Sequence, residues 1–219
     1  VPDGSKFVME ATGTYHLRCA TFLAGSGLHV SVENPLAIKR FIQSDLRRCK
    51  NDVSDSFSIA KYGREKSPRA WTVPSEEARE ARRLQGLIEL LREQISAQTN
   101  YFHALQQEDL KDDAQKLCKA SIAKMKVAIA DAEDRFKSIV SRFWKDDVER
   151  ISSIPGVGKM SACKLIAKVE DFNRFENSRQ FMSWLGMTPR NMQSGTSIHV
   201  NGGITKMGDG RLRTQFYMC

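Results

Sequence analysis

An α/β segment followed by an all-α remainder is the fold class this sequence predicts, and three observations predict it. Residues 1–74 alternate short strand-like and helix-like runs, residues 75–148 carry one apolar rhythm without a proline, and residues 149–219 hold a glycine turn between two helical patterns. Those three stretches are the expected domains.

In the first stretch, "KFVME" (Lys6 to Glu10) reads as a strand, and Thr12 and Gly13 supply the turn after it. "YHLRCATFLAGSG" follows with Leu17, Ala20, Phe22, Leu23 and Ala24 at helical spacing, stopped by Gly25 and Gly27. Leu28, Val30 and Val32 alternate as a second strand. Pro35 opens a helix to about Gln43, and "NDVSDSFSIAKYGREK" predicts another.

From Ser75 to Lys145 the pattern is purely helical. Leu84, Ile88, Leu91, Ile95, Gln98, Phe102 and Leu105 recur at alternating steps of four and three, and Cys118, Ile122, Met125, Ile129, Ala132, Phe136, Ile139 and Phe143 resume the rhythm after "QQEDLKDDAQ". A seam of that period predicts a coiled coil, folded back as an antiparallel hairpin at the polar patch. Pairing with another molecule, or two core helices of a bundle, would bury the same residues.

The charge is unevenly spread. Residues 1–74 carry 11 Lys/Arg against 7 Asp/Glu, residues 75–150 carry 14 against 15, and residues 151–219 carry 9 against 4, so the net charge of +8 comes from the two ends. Basic ends around a balanced middle point to a polyanionic partner, with a generic solubility charge as the plainer reading. The sequence holds no run of about 18 apolar residues, which excludes a helical membrane span, and an intracellular, soluble protein is expected. Cys19, Cys49, Cys118, Cys163 and Cys219 are odd in number and never spaced as C-x-x-C, so neither a disulfide framework nor a zinc site is predicted. The chain starts at Val1 and stops in mid-pattern at "RTQFYMC", so a piece of a longer protein is expected.

Three constellations can carry chemistry. In "ISSIPGVGKMSACKLIAKV", Gly156 and Gly158 allow a close backbone approach to phosphate, the following helix start offers N–H groups, and Lys159 and Lys164 add charge. This is a helix-hairpin-helix pattern, although glycine turns also serve packing. Glu10 ends a strand, and Asp52 and Asp55 are three apart on one helix face; such carboxylates suit a hard cation such as Mg2+, or else Asp52 caps a helix and Asp55 is solvated. In "TPRNMQSGTSIHVNGGITKMGDGRLR", Ser194 is either a turn residue or a nucleophile, with Arg190, Lys206, Arg211 and Arg213 available to compensate phosphoryl charge.

"EATGTY", "KNDVSDSFSIAKY", "ISSIPGVGKMSACKLIAKV", "RFENSRQFMSWLGMTPRNMQSG" and "GGITKMGDGRLR" together resemble the successive motifs of the DEDD transposases of the Piv/MooV type, the bridge-RNA-guided insertion-sequence recombinases. The resemblance covers nearly the whole chain. It implies a RuvC-like (RNase H-like) domain over 1–74, a coiled coil over 75–148, and a helical transposase domain with helix-hairpin-helix over 149–219. It puts Glu10 on the family's glutamate, Asp52 and Asp55 on its paired aspartates, with "KND" for the usual "KTD", and Ser194 on its nucleophilic serine. The family's first aspartate would precede Val1, which leaves an incomplete acidic tetrad and an expectation of weak metal binding and an inactive chain as given. Further implications are Mg2+ as cofactor, donor and target DNA and a structured guide RNA as partners, dimers or tetramers with composite sites, and a prokaryotic, nucleoid-associated cytoplasmic protein. The competing readings are a metal-dependent junction nuclease and a non-catalytic nucleic-acid-binding remnant.

Overall fold

The computed structural model describes residues 2, 4–44, 51–107, 112–194 and 198–219, with only the backbone described across 191–201. Cys49, Lys50, residues 108–111 within the predicted turn and the Gly195–Ser197 segment lie outside the described residues. Backbone contacts divide the chain into two compact units, Val1–Val73 and Pro74–Cys219.

The first unit is a β-α-β arrangement followed by two helices: β1 (Lys6–Glu10), α1 (Tyr15–Gly25), β2 (His29–Glu33), α2 (Pro35–Ser44) and α3 (Asp52–Lys66). The strands are parallel, with Lys6 opposite His29 and Glu10 opposite Glu33. Parallel pairing requires a crossover, and α1 is that crossover. It ends where expected, Gly27 taking a left-handed φ of 77°. Pro35 sits at the first turn of α2 behind Asn34, whose side chain accepts a bond from the Leu36 amide at 2.8 Å. α3 is capped by Asn51 in a reciprocal box with Ser54, so the capping role open to Asp52 belongs to Asn51 instead.

α3 packs on β1 through Gly63. A Cβ there would stand 2.5 Å from Cγ2 of Val8, so a side chain is excluded by contact rather than by backbone angle. The buried hydroxyl of Ser31 is satisfied by the carbonyls of Arg69 at 2.9 Å and Pro68 at 3.2 Å, and the Trp71 amide donates to Val30 at 2.7 Å. The chain leaving α3 thus runs back alongside β2.

The second unit opens with two long helices, α4 (Glu76–Leu105) and α5 (Asp113–Phe143). Ser75 and Asp112 cap them, accepting bonds from the amides of Ala78 and Gln115. Gln115 reaches the Leu105 carbonyl at 3.1 Å, Cys118 reaches that of Gln98, and Arg92 pairs with Glu133 farther along, an order only antiparallel helices allow. Ile88, Cys118, Ala132 and Phe136 of the expected seam are buried. Phe143 departs from it, being 47% exposed while Val140 is buried. Near that end α5 packs against further helices as well as α4, and its buried stripe turns toward them.

Those helices are α6 (Lys145–Ser152) and α7 (Lys159–Val169), followed by a 3-10 turn (Phe172–Arg174), α8 (Ser178–Leu185), β3 (Pro189–Ser194), β4 (Ile198–Ile204) and α9 (Gly210–Tyr217). One core joins Ala81, Ile88, Phe136, Val140, Val148, Cys163 and Ile166; a second joins Leu165, Val169, Leu185 and Leu212 under Phe172, Phe175, Phe181 and Trp184. The antiparallel β3–β4 hairpin corrects the expectation of a purely helical carboxy-terminal region. Its signal was a three-residue, glycine-containing gap between "PRNMQS" and "IHVNGGI". Among the described residues no helix is long and apolar enough to cross a membrane.

The Gly63 contact gives a direct test of the first unit. Gly63→Ala is expected to cost about 1–3 kcal/mol through overpacking against Val8, read as a lower melting temperature, with Val8→Ala relieving part of the loss in the double variant.

Candidate functional site

Glu10 and Glu33 close the two parallel strands side by side. Tyr62 of α3 donates to a Glu33 carboxylate oxygen at 3.0 Å, while Gly63 touches Val8 and the segment after α3 reaches Ser31 and then Val30. The helix therefore runs antiparallel to the strands, and its amino-terminal end, with Asp52 and Asp55, lies toward the carboxyl ends of β1 and β2. Asp55 is seven residues from Tyr62, two turns away on the same helix face, and so roughly 10 Å along the axis. In α/β arrangements ligands bind at this edge.

The set is all oxygen donors, the chemistry a hard divalent cation prefers. Among the described residues, however, no three His, Cys, Asp or Glu side chains stand close enough to hold a metal ion. Glu10, Asp52 and Asp55 share an end of the unit without converging. The residue missed in the sequence is Glu33, and the parallel register that brings it beside Glu10 is not visible without the pairing. Burial and the Glu33 bond push the Tyr62 phenol upward from its usual pKa.

In the second unit, α6, a tight turn and α7 form the predicted helix–turn–helix, closed by a bond from the Val157 amide to Ile154 at 3.0 Å. Gly156 adopts φ 87°, and a Cβ there would meet the Cys219 carbonyl oxygen at 2.1 Å, so turn geometry and packing account for this glycine. Gly158 faces open space at the start of α7, which has no side-chain cap and no acid in its first turn. Exposed Lys159 occupies that turn, where a helix dipole disfavours a cation. Helix stability therefore does not explain its presence.

Lys164 departs from the expectation. Five residues on, it points about 140° around the helix from Lys159, into a cleft of about 290 Å³ lined by Gln85, Glu89, Arg92 and Arg211. Burial lowers its pKa, Arg92 adds to that, and Glu89 and Glu133 oppose it. Arg211 forms ion pairs with Glu89 and, at 2.8 Å, with Glu93, and the Glu89 charge raises its pKa. Arg213 donates to the Leu185 carbonyl at 2.9 Å and to that of Lys206 at 3.3 Å. Two of the cations expected to face phosphate thus have partners within the protein. Arg190 is exposed and lies across Gly202, while Lys206 is exposed with a left-handed φ of 57°. Ser194 is the last residue of β3, its backbone paired with Ile198; its side chain lies outside the described atoms.

The description of one family model, the transposases of the IS116/IS110/IS902 family, matches residues 148–219, and a DEDD-type IS110 transposase model matches residues 2–108. The chain belongs to this transposase family. Relatives of this chain include the pilin gene-inverting protein of Moraxella bovis, 27% identical over 213 residues that span 96% of this chain and 65% of that protein. The transposase for insertion sequence element IS1111A of Coxiella burnetii is 29% identical over 235 residues, 94% of this chain and 62% of its own length. A probable family 20 transposase of Pseudomonas aeruginosa is 37% identical over 67 residues, 31% of this chain and 20% of that one. The chain spans less than two thirds of the first two relatives. The amino-terminal match takes in the acidic strand ends, and the carboxy-terminal match takes in the glycine turn, the β3–β4 hairpin and α9.

In this chain α9 is anchored by Asp209, which accepts bonds from the Arg211 and Leu212 amides and pairs with Lys168 at 3.1 Å. Burial pushes the Asp209 carboxyl up, but the Leu212 amide, the Lys168 charge and the Arg211 amide outweigh it, leaving the group below its ordinary pKa. A depressed folded pKa contributes stability above the unfolded value, near pH 4, that is lost as the pH falls through the folded value. Asp209→Asn keeps a capping oxygen and removes the charge. It is expected to lower stability by roughly 0.5–1 kcal/mol at pH 7, with the difference from the parent shrinking below about pH 4 in melting curves.

Proposed function

We propose that this chain is the core of a DNA recombinase that inverts or transposes a mobile segment through a covalent phosphoserine link at Ser194. The observation that carries this reading is the occurrence of both family domains in one chain, with Ser194 as the last residue of β3. The Ser194 oxygen attacks a phosphodiester phosphorus, one P–O bond forms as the bond to the departing nucleotide oxygen breaks, and the hydroxyl proton passes through solvent to that oxygen. The bond energy is retained for rejoining.

The functional parts are the RuvC-like domain over 1–74, the coiled-coil arm over 75–148 and the transposase domain over 149–219. The helix-hairpin-helix, through Gly158 and Lys159, holds a backbone phosphate, supported by the open turn and the cation at a helix start. Arg190 and Lys206, at the base of the hairpin that carries Ser194, face nucleic acid. A divalent cation, Mg2+ by the hardness of the donors, would need Glu10, Asp52 and Asp55 to draw together from the edge they share without converging, and would supply neutralisation of phosphate charge there. Structured guide RNA, donor and target DNA, and further copies of the chain complete the working assembly, in the prokaryotic cytoplasm at the nucleoid.

A second reading, a nucleic-acid-binding protein without catalysis, is favoured by the three carboxylates that share an edge without converging. The two separate in one experiment, in which the full-length protein is incubated with labelled DNA, guide RNA and Mg2+. The recombinase reading expects a protein–DNA adduct that Ser194→Ala abolishes; binding with steep salt dependence and no cleavage supports the second reading. Free DNA ends without an adduct would point to a junction nuclease. In the same assay Asp55→Ala is expected to abolish strand exchange and leave guide-RNA binding nearly intact.

A further inference from the structure

The two arginines of "GRLR" do different work, and Arg213 serves the hairpin. α8 ends at Leu185 and the chain turns through Gly186, left-handed at φ 71°, into β3; on the return, β4 leads through Lys206 and Gly208 into α9. These two passages cross at backbone contact. A Cβ on Gly208 would lie 2.2 Å from the Trp184 carbonyl oxygen, and one on Gly186 would lie 2.5 Å from the Gly208 nitrogen. The Lys206 amide bonds the Gly186 carbonyl and the Thr205 amide that of Thr188, each at 2.9 Å. Across this crossing Arg213 spans both sides, to Leu185 before β3 and to Lys206 after β4.

We propose that Arg213 is a positioning residue for Ser194 rather than a phosphate contact: its forked guanidinium fixes the base of the β3–β4 hairpin and so the direction in which β3 carries Ser194. This rests on the Ser194 reading above. Ser194 stands five residues beyond Pro189, roughly 17 Å from the base, so a tilt of about 5° there displaces it by roughly 1.5 Å. A shift of that size is enough to take a nucleophile out of attack geometry. Lysine carries the same charge but one donor head, and cannot span two carbonyls on opposite sides of a crossing as a planar fork does.

The test compares the full-length parent with Arg213→Lys and Arg213→Gln, using labelled duplex DNA with guide RNA. Both variants are expected to keep DNA affinity within about twofold and an unchanged salt slope, while adduct formation at saturating DNA falls by roughly ten- to a hundredfold. A phosphate contact would instead lower the salt slope of Arg213→Gln by about one unit and leave Arg213→Lys near parental rate, which overturns the proposal. Amide hydrogen exchange supplies a readout independent of activity. In Arg213→Lys the β3–β4 amides should exchange faster while those of α7 stay protected; unchanged hairpin amides, or loss of protection in α7 as well, overturn the proposal. Ser194→Ala run alongside separates the two ideas: an adduct that survives it removes the nucleophile assignment, and the exchange pattern still judges Arg213.

Discussion

Burial of α7 on two faces is the constraint on which the rest of the second unit depends. Cys163, Ile166 and Ala167 close the core shared with α4, α5 and α6, while Leu165 and Val169, on the other side, close the core shared with α8 and α9. An eleven-residue helix with apolar groups on both sides cannot be stable alone in water; it needs partners from both directions. Its amino-terminal end remains outside both cores, which is where Gly158 and Lys159 sit. The same helix thus provides stability with its middle and leaves a set of N–H groups free at its start.

From α7 the order passes to α9, and from α9 to the hairpin. Lys168 of α7 pairs with the Asp209 cap, Leu212 enters the second core, and the flanking arginines then diverge. Arg211 reaches Glu89 and Glu93 on α4, and Arg213 reaches the end of α8 at Leu185 and the passage after β4 at Lys206. Residues two apart on a helix point about 200° apart, so one short motif serves two directions. A strand pair with no larger sheet to join is marginal by itself, and here its stability derives from the crossing at its base. That crossing admits only glycine at 186 and 208 because backbone meets backbone there.

In the first unit, chemistry and fold draw on the same pairing. Parallel strands put their carboxyl ends together, and the antiparallel run of α3 puts its acidic first turn toward that end. The acids also suit the positive end of the α3 dipole, so their placement serves helix stability in any case. Glu33 differs, being held at a strand end by a tyrosine hydroxyl from α3.

Local signals were enough to determine much of the chain from sequence. The strand Lys6 to Glu10, the helix closed by Gly25, the Pro35 start and the two long periodic helices follow from turn residues, caps and apolar spacing, all of which act within a few residues. The motif order identified the family for the same reason, since motifs are read along the chain. Tertiary structure alone decided which cations remain available, because Arg211 and Arg213 meet partners as far as 122 residues away in sequence and Lys164 turns into a cleft. It also decided that Glu33 stands beside Glu10, that Phe143 is exposed while Val140 is buried, and that Gly156 answers to packing while Gly158 does not. Each of these depends on contacts between distant segments, and a charge or an apolar group carries no mark in the sequence of the partner it will find.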